Sequence, residues 1–306
     1  MLDEIYYEID EFCQRERNFL HFLLQKMGFC GKSHPCSLSL SEVMTILVYY
    51  HYSDYRHFKA YYTKGILGHL KSDFPTAPSY NRFVELIPRA FLPLCAFLIY
   101  RCKAAKQTGI YFLDSTKLPV CFITRAHCHK VFRGWASKNK TSTGWFFGLK
   151  LHLIINNLGE LVNFYLSTGR KADNDAFILF TLTQSLFGTF YTDAGYQMCE
   201  DKRLLLELDR LRTFIVKPKA KAKTKQEPLL YKDVLWHKKR PTIESVIDIQ
   251  KEHLDLNLSR QRSPINGFAT IFANLIAYTF YPDKPAASIK PIYQLKQPEN
   301  QWTMAA

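Results

Sequence analysis

Two short apolar segments of this chain each end in an aspartate, and this repeated pattern limits its fold more than any other feature. Residues 109–114 read Gly-Ile-Tyr-Phe-Leu-Asp, and residues 189–193 read Thr-Phe-Tyr-Thr-Asp. Both have the length and composition of a buried strand. One aspartate after a strand often only caps a turn. Two matched ones predict that Asp114 and Asp193 meet at one edge of a sheet, where carboxylates can bind a divalent cation.

The residues around these aspartates predict a mixed α/β sheet. Strands are expected at 109–114, 145–155, 161–166, 189–193 and 213–216, with helices at 175–187 and 198–208. Alternation of this kind is typical of an α/β domain. Helices that begin near Pro241 and Pro264 close the unit, because proline suits a first helical turn. We assign this domain to residues 106–282 and an extended tail to 283–306.

The N-terminal part of the chain, residues 1–105, is predicted to be mainly helical. Ser39 and Glu42 form a capping box at the start of one helix. Ser79 can begin a second helix, which we expect to end near Pro88. Two short capped helices favour either a helix-turn-helix-like DNA-binding domain or an ordinary helical bundle, and the sequence alone leaves both open.

The charge of the chain indicates a polyanionic partner. There are 41 Lys and Arg residues against 27 Asp and Glu, a formal net charge of +14. Nucleic acid and an anionic membrane surface are the candidates. No uninterrupted apolar run reaches the roughly 18 residues of a spanning helix, and the acidic N-terminus is unlike a signal peptide. We therefore expect a cytoplasmic protein without a membrane partner, its eight cysteines mostly reduced core residues.

Glu244 is the natural third carboxylate for a metal site. On the helix near Pro241 it precedes Lys251 by seven residues, two turns, so both share nearly one face. Arg240 lies four residues before Glu244, just outside the helix. An acid for a metal among bases for phosphate suits a DNA-cutting surface. The alternative is a plain surface helix with salt bridges.

These segments resemble DDE transposases of bacterial insertion sequences, and the chain is most like the insertion sequence 982 family. The matching segments are residues 74–83, 112–117, 148–153 and 191–195, together with Arg240, Glu244 and Lys251 in the spacing Arg, three residues, Glu, six residues, Lys. His237 stands where that signature often has a tyrosine. The resemblance extends over nearly all of residues 1–282.

The resemblance implies an RNase H-like catalytic fold in which Asp114, Asp193 and Glu244 hold two Mg²⁺ or Mn²⁺ ions. Metal-activated water would cut DNA at the ends of the element, and the freed 3′-hydroxyl would attack target DNA. Candidate contacts to the DNA backbone are Arg240, Lys251, Lys117, Lys150 and, in the N-terminal region, Arg82. The expected partners are the terminal inverted repeats, the target DNA and further copies of this chain.

Three other functions compete with this interpretation. His127 and His129, separated by one residue, are spaced as in single-strand endonucleases that bind one metal and use a tyrosine nucleophile. A retired transposase would bind DNA without cutting it. A membrane-surface protein is suggested only by charge and has no basic amphipathic anchor.

The sequence leaves open the functions of a lysine-rich segment and of two aspartates. A lysine occurs at every second position from 217 to 225, which fits either a basic loop near DNA or a solvated loop. Asp173 and Asp175 precede a predicted helix. We favour helix capping for them, with a place near the active site as the alternative.

Overall fold

The computed structural model describes residues 1–29, 37–141, 144–207, 211–217 and 229–289. The helices are α1 (Leu2–Arg15), α2 (Arg17–Lys26), α3 (Leu40–Tyr49), α4 (Phe58–Ala60), α5 (Tyr80–Ala104), α6 (Ala176–Thr183), α7 (Glu200–Glu207), α8 (Tyr231–Lys239), α9 (Thr242–Asp248) and α10 (Pro264–Phe280). The strands are β1 (Ile110–Cys121), β2 (Ser137–Thr141), β3 (Gly144–Asn156), β4 (Leu161–Thr168), β5 (Gly188–Thr192) and β6 (Arg212–Val216). Two π-helical segments, Tyr61–His69 and Ile249–His253, continue α4 and α9.

The strands form one mixed sheet in the order β2-β3-β1-β5-β6, with β4 also paired to β3. β3 runs antiparallel to β1, β2 and β4, whereas β5 and β6 run parallel to β1 and β5 respectively. The mixed α/β sheet predicted from the sequence is confirmed.

The two faces of the sheet are buried by different helices, because residues alternate between faces along each strand. On one face, Phe112 and Leu153 join a core that includes residues of α9, α10 and the N-terminal helices. On the other face, Leu113 and Ile154 pack with residues of α6 and α7. The first face is the one that carries Asp114, two residues after Phe112.

The N-terminal helices share their core with the sheet. α10 packs against α5 and α3, and the rings of Phe91 and Phe272 stack with centroids 5.7 Å apart. A single apolar cluster contains residues from α1, α3, α5, β1 and α10. The buried apolar core is therefore continuous across residue 105, the boundary predicted between the two domains.

One expectation for the N-terminal region is confirmed and one is wrong. Ser39 and Glu42 form the predicted capping box at the start of α3. α5, in contrast, does not end near Pro88 but continues through Pro88 and Pro93 to Ala104. Each internal proline removes a backbone hydrogen bond, and burial of residues such as Phe97 against the core offsets that cost.

α5 is the one helix in the described ranges that is long and apolar enough to cross a membrane by length and composition. Its buried residues pack against the helices named above, as in the core helix of a globular protein.

Three elements of the sheet region, β1, β2 and α8, differ from the prediction. β1 does not end at Asp114 but extends to Cys121, because its antiparallel partner β3 continues while β5 stops. β2 and α8 were not predicted, because their sequences are polar and lack a clear apolar period. The lysine-rich segment 217–225 lies, after Lys217, outside the described residues.

Candidate active site

Asp114 and Asp193 lie on neighbouring parallel strands at the same level. The β1–β5 pairing runs from Ile110 opposite Thr189 to Phe112 opposite Tyr191, and the two aspartates come two residues later on each strand. The negative charge of Asp193 contributes to raising the pKa of Asp114. Asp193 also begins a short 3₁₀ turn, where its Oδ1 accepts a hydrogen bond from the Gly195 N–H at 2.9 Å. The two aspartates therefore follow the last paired residues of β1 and β5 at the same level, with Asp193 just after the end of β5 and Asp114 inside the longer β1.

Arg240 joins Asp114 to Glu244. Its Nη1 lies 3.1 Å from Asp114 Oδ2, and its Nη2 lies 2.5 Å from Glu244 Oε1. Arg240 occupies the junction between α8 and α9, just outside the helix of Glu244 as expected. The guanidinium is only 11% exposed and the Asp114 carboxylate 18%, whereas the Glu244 side chain is 53% exposed. A planar guanidinium can hold two carboxylates at once, which an ammonium does less well.

Asp114 is buried enough for its charge to be costly. Removal from water raises the pKa of its carboxyl, although Arg240 and the Ser115 N–H both act to lower it. The remaining shift is upward, so the protein cations near Asp114 do not fully compensate for its burial.

Lys251 reaches the same face of β1 through Thr116. Its Nζ lies 2.5 Å from Thr116 Oγ1, and Thr116 is two residues beyond Asp114 on the strand. Burial, followed by the nearby charge of Lys117, lowers the pKa of Lys251. Lys251 belongs to the π-helical segment after α9; such wide turns recur at functional sites. Arg240 and Lys251 therefore contact β1 directly, and Glu244 is linked to β1 through Arg240.

α8 fixes the end of β5 beside Asp193. The buried Tyr191 hydroxyl donates to Asp233 Oδ1 at 2.8 Å, and His237 Nε2 lies 2.9 Å from the Thr192 carbonyl oxygen. Burial lowers the pKa of His237, so a neutral ring donating to that carbonyl fits the geometry. The only sequence signal for His237 is its place three residues before Arg240, where the DDE signature often has a tyrosine.

A second polar group lies behind Asp114, on the opposite face of β1. Asp173 Oδ1 accepts hydrogen bonds from Ser115 Oγ at 2.5 Å and from Lys150 Nζ at 3.1 Å. The Ser115 N–H in turn donates to Asp114 Oδ1 at 2.8 Å. Asp175 Oδ1 instead accepts from the Ile178 N–H at 3.2 Å and caps α6. Capping is confirmed for Asp175, whereas Asp173 contacts the residue after Asp114.

The candidate DNA contacts have different surroundings. Lys150 has a side chain only 8% exposed and also donates to the Lys171 carbonyl at 2.9 Å, so its ammonium faces the protein in this arrangement. Lys117 lies directly across from Lys150 on β1. Arg82 is exposed on the first turn of α5 and pairs with Glu85 at 2.6 Å.

The histidine pair does not form a comparable group. His127 is exposed in a turn, and the His129 ring stacks on Phe132 and meets Phe147 edge-on. In the part of the chain that the structure describes, no set of three or more His, Cys, Asp or Glu side chains is arranged to hold a metal ion. At the Asp114–Glu244 site, the Arg240 guanidinium lies between the carboxylates.

Comparison with known proteins identifies one matching family. The sequence model of a family described as transposase DDE domain matches residues 104–264, more than half of the chain, and this range contains all three candidate acids. No curated protein and no solved structure matches in the corresponding comparisons. The chain belongs to the DDE transposase family.

Proposed function

We propose that this transposase belongs to an insertion sequence, most similar to the insertion sequence 982 family, and that Asp114, Asp193 and Glu244 are its catalytic acids. The observation that carries the proposal is the level placement of Asp114 and Asp193 on parallel strands, with Arg240 joining Asp114 to Glu244. An RNase H-like fold is supported by a central β1 with antiparallel β3 on one side and parallel β5 and β6 on the other.

The acids suit two Mg²⁺ or Mn²⁺ ions. Carboxylate oxygens are the ligands that these hard cations prefer, and the upward pKa shift of Asp114 indicates a site that still favours added positive charge. When bound, the two ions supply the activation of the attacking oxygen and the stabilisation of the leaving oxygen. The remaining contribution of the protein is positioning and charge neutralisation.

Arg240 and Lys251 are the proposed contacts to phosphate near the scissile bond. Both approach the Asp114 face of β1, and both carry donors suited to phosphate oxygens. Lys117, whose positive charge helps to lower the pKa of Lys251, is a secondary candidate for contact with the DNA backbone. We assign Lys150 a positioning function instead, because its ammonium is buried against Asp173.

The division of the chain is proposed by function. Residues 1–105 would bind the terminal inverted repeats, with Arg82 exposed on α5. Residues 106–282 would cut DNA and join the freed 3′ end to target DNA. Residues 283–306 are the proposed tail, of which residues 290–306 lie outside the described part of the chain. Paired ends require more than one copy of the chain, so we propose a homo-oligomer on bacterial DNA in the cytoplasm.

The test is cleavage of a labelled duplex that carries the end of the element. Wild-type protein is compared with Asp193→Asn and with the control Asp201→Asn, an exposed acid in the first turn of α7, in Mg²⁺ and in EDTA. We expect metal-dependent 3′-hydroxyl ends for the wild type and the control, and a loss of at least about 100-fold for Asp193→Asn. Cleavage that survives in Asp193→Asn, or protein covalently attached to DNA, would contradict the proposal.

A further inference from the structure

The hairpin of β2 and β3 presents two lysines and a tryptophan on one face. Lys138 pairs with Phe147, and Lys140 pairs with Trp145. Directly opposed residues of an antiparallel pair point to the same side of the sheet. Both lysines are exposed, and the Trp145 side chain is 61% exposed. We call Lys138, Lys140 and Trp145 the hairpin face.

The other side of the hairpin is anchored to the protein. Asn139 Nδ2 donates to the Gly169 carbonyl at 2.6 Å, and the Arg170 N–H donates to Ser137 Oγ at 2.7 Å. Phe146, which alternates with Trp145, is buried. These contacts fix which side of the hairpin faces outward, so the exposure of Trp145 follows from the register of β2 with β3.

Exposing an indole ring to water costs free energy, because burial of its large apolar surface is favourable. Lysines on an edge strand discourage pairing with another sheet, but that role needs no tryptophan beside them. Ammonium groups next to an exposed aromatic ring are the combination that binds single-stranded nucleic acid, through phosphate contacts and stacking on a base. The formal net charge of +14 favours the same partner.

The hairpin face also lies on the Asp114 side of the sheet. Trp145 and Leu153 are eight positions apart on β3, so their side chains point to the same face, and Leu153 pairs with Asp114. At roughly 3.3 Å per residue, those eight positions span about 26 Å. This equals the length of roughly eight base pairs of B-form DNA.

We propose that the hairpin face binds an unpaired stretch of DNA, with Lys138 and Lys140 on phosphates and Trp145 stacked on a base. This inference rests on the proposed function for its substrate and adds a second contact about 26 Å from the acids. Unpaired bases are the preferred ligand, because the indole cannot stack on a base that is already stacked within a duplex.

The experiment measures binding of a fluorescein-labelled 20-nucleotide thymidine strand, and of a mixed-sequence 30-base-pair duplex, to full-length protein at several salt concentrations. The variants are Trp145→Ala, Trp145→Phe and the double variant Lys138→Ala/Lys140→Ala. The matched control is Lys103→Ala/Lys106→Ala, which removes two exposed lysines just before β1, whereas the hairpin pairs with the C-terminal end of β1.

We expect Trp145→Ala to weaken binding of the single strand about tenfold and binding of the duplex by less than about twofold, with Trp145→Phe close to wild type. The double lysine variant should lower the slope of log affinity against log salt by about 1.4 for the single strand, while the control leaves it unchanged. Equal affinity of Trp145→Ala and wild type, or equal effects of the two lysine pairs, would overturn the proposal.

Two outcomes separate this inference from the proposed function. Wild-type cleavage in Mg²⁺ together with unaltered binding by the hairpin variants would reject the hairpin face alone. Loss of single-strand binding in Trp145→Ala, in a protein that never cleaves DNA, would support the hairpin face and reject the catalytic assignment. Binding of a protein partner at this face instead would leave the affinities for the thymidine strand unchanged, and so would count against the proposal.

Discussion

At the scale of single residues, the site is organised by charges that are not in the carboxylate triad. Arg240 contacts two acids from different elements, and Lys251 contacts the strand that carries one of them. The acids alone would repel one another when placed on adjacent strands. The basic residues of the sequence signature therefore stabilise the same arrangement that they are proposed to use for binding phosphate.

Asp173 and Asp175 provide a residue-scale prediction, because they lie two positions apart and act differently. Asp173→Asn would leave the buried Lys150 ammonium without its ion-pair partner, so we expect the free energy of unfolding to fall by about 2 kcal/mol. Asp175→Asn keeps a good helix cap and loses only an exposed ion pair with Lys171, so the loss should be below about 0.5 kcal/mol. Urea denaturation measures both, and equal losses would show that Lys150 does not depend on Asp173.

At the scale of elements, helix capping offers a matched pair of substitutions. Ser39 accepts a hydrogen bond from the Glu42 N–H at 3.1 Å at the start of α3, whereas Ser79 makes no side-chain cap at the start of α5. Ser39→Ala should therefore lower the free energy of unfolding by about 1 kcal/mol, and Ser79→Ala by much less. Thermal and urea denaturation test the difference; a larger effect at Ser79 would contradict the capping assignment.

The elements also show why part of the fold could be predicted from sequence. β1 and β5 were identified because buried parallel strands are continuous apolar runs, and α3 because its cap is a local feature. The full length of α5 was missed because a local rule, that proline ends a helix, was overridden by burial against α10. β2 was not predicted because an edge strand can be polar throughout and then lacks an apolar pattern.

The same distinction applies to the candidate site. Asp114, Asp193, Arg240, Glu244 and Lys251 were identified from local patterns and spacing. The contacts of Asp173, Thr116 and His237 depend on which strands and helices become neighbours, and no local pattern contains that information.

At the scale of the whole molecule, the N-terminal and catalytic regions are joined by buried polar contacts as well as by apolar ones. His51, just after α3, has its Nδ1 2.6 Å from the Leu254 carbonyl oxygen. Tyr52 donates to the Ala277 carbonyl at 2.6 Å. We therefore expect both regions to unfold together, in a single transition.

His51 gives this coupling a pH dependence. Burial lowers its pKa to about 4, against about 6.5 in an unfolded chain. Between these values the unfolded chain binds a proton that the folded protein does not, so stability is lost as the pH falls from 6.5 to 4, by up to about 3 kcal/mol. Above pH 6.5 the contribution of His51 is constant.

Urea denaturation at pH 7 and pH 4.5 measures this contribution. The variant His51→Gln, which keeps a donor for the Leu254 carbonyl, should lose less stability between these pH values than the wild type does. His69→Gln, an exposed histidine, should behave as the wild type. An identical loss of stability in His51→Gln and in the wild type would show that His51 does not cause the pH dependence.

The central claim is that Asp193, with Asp114 and Glu244, is a metal ligand in DNA cleavage, and a change of ligand atom tests it most directly. The measurement is cleavage of the element-end duplex by Asp193→Cys in Mg²⁺ and in Mn²⁺, with folding verified by circular dichroism. Because a thiolate is a softer ligand than a carboxylate, we predict cleavage near background in Mg²⁺ and partial recovery in Mn²⁺. Wild-type rates for Asp193→Cys in Mg²⁺ would contradict the claim.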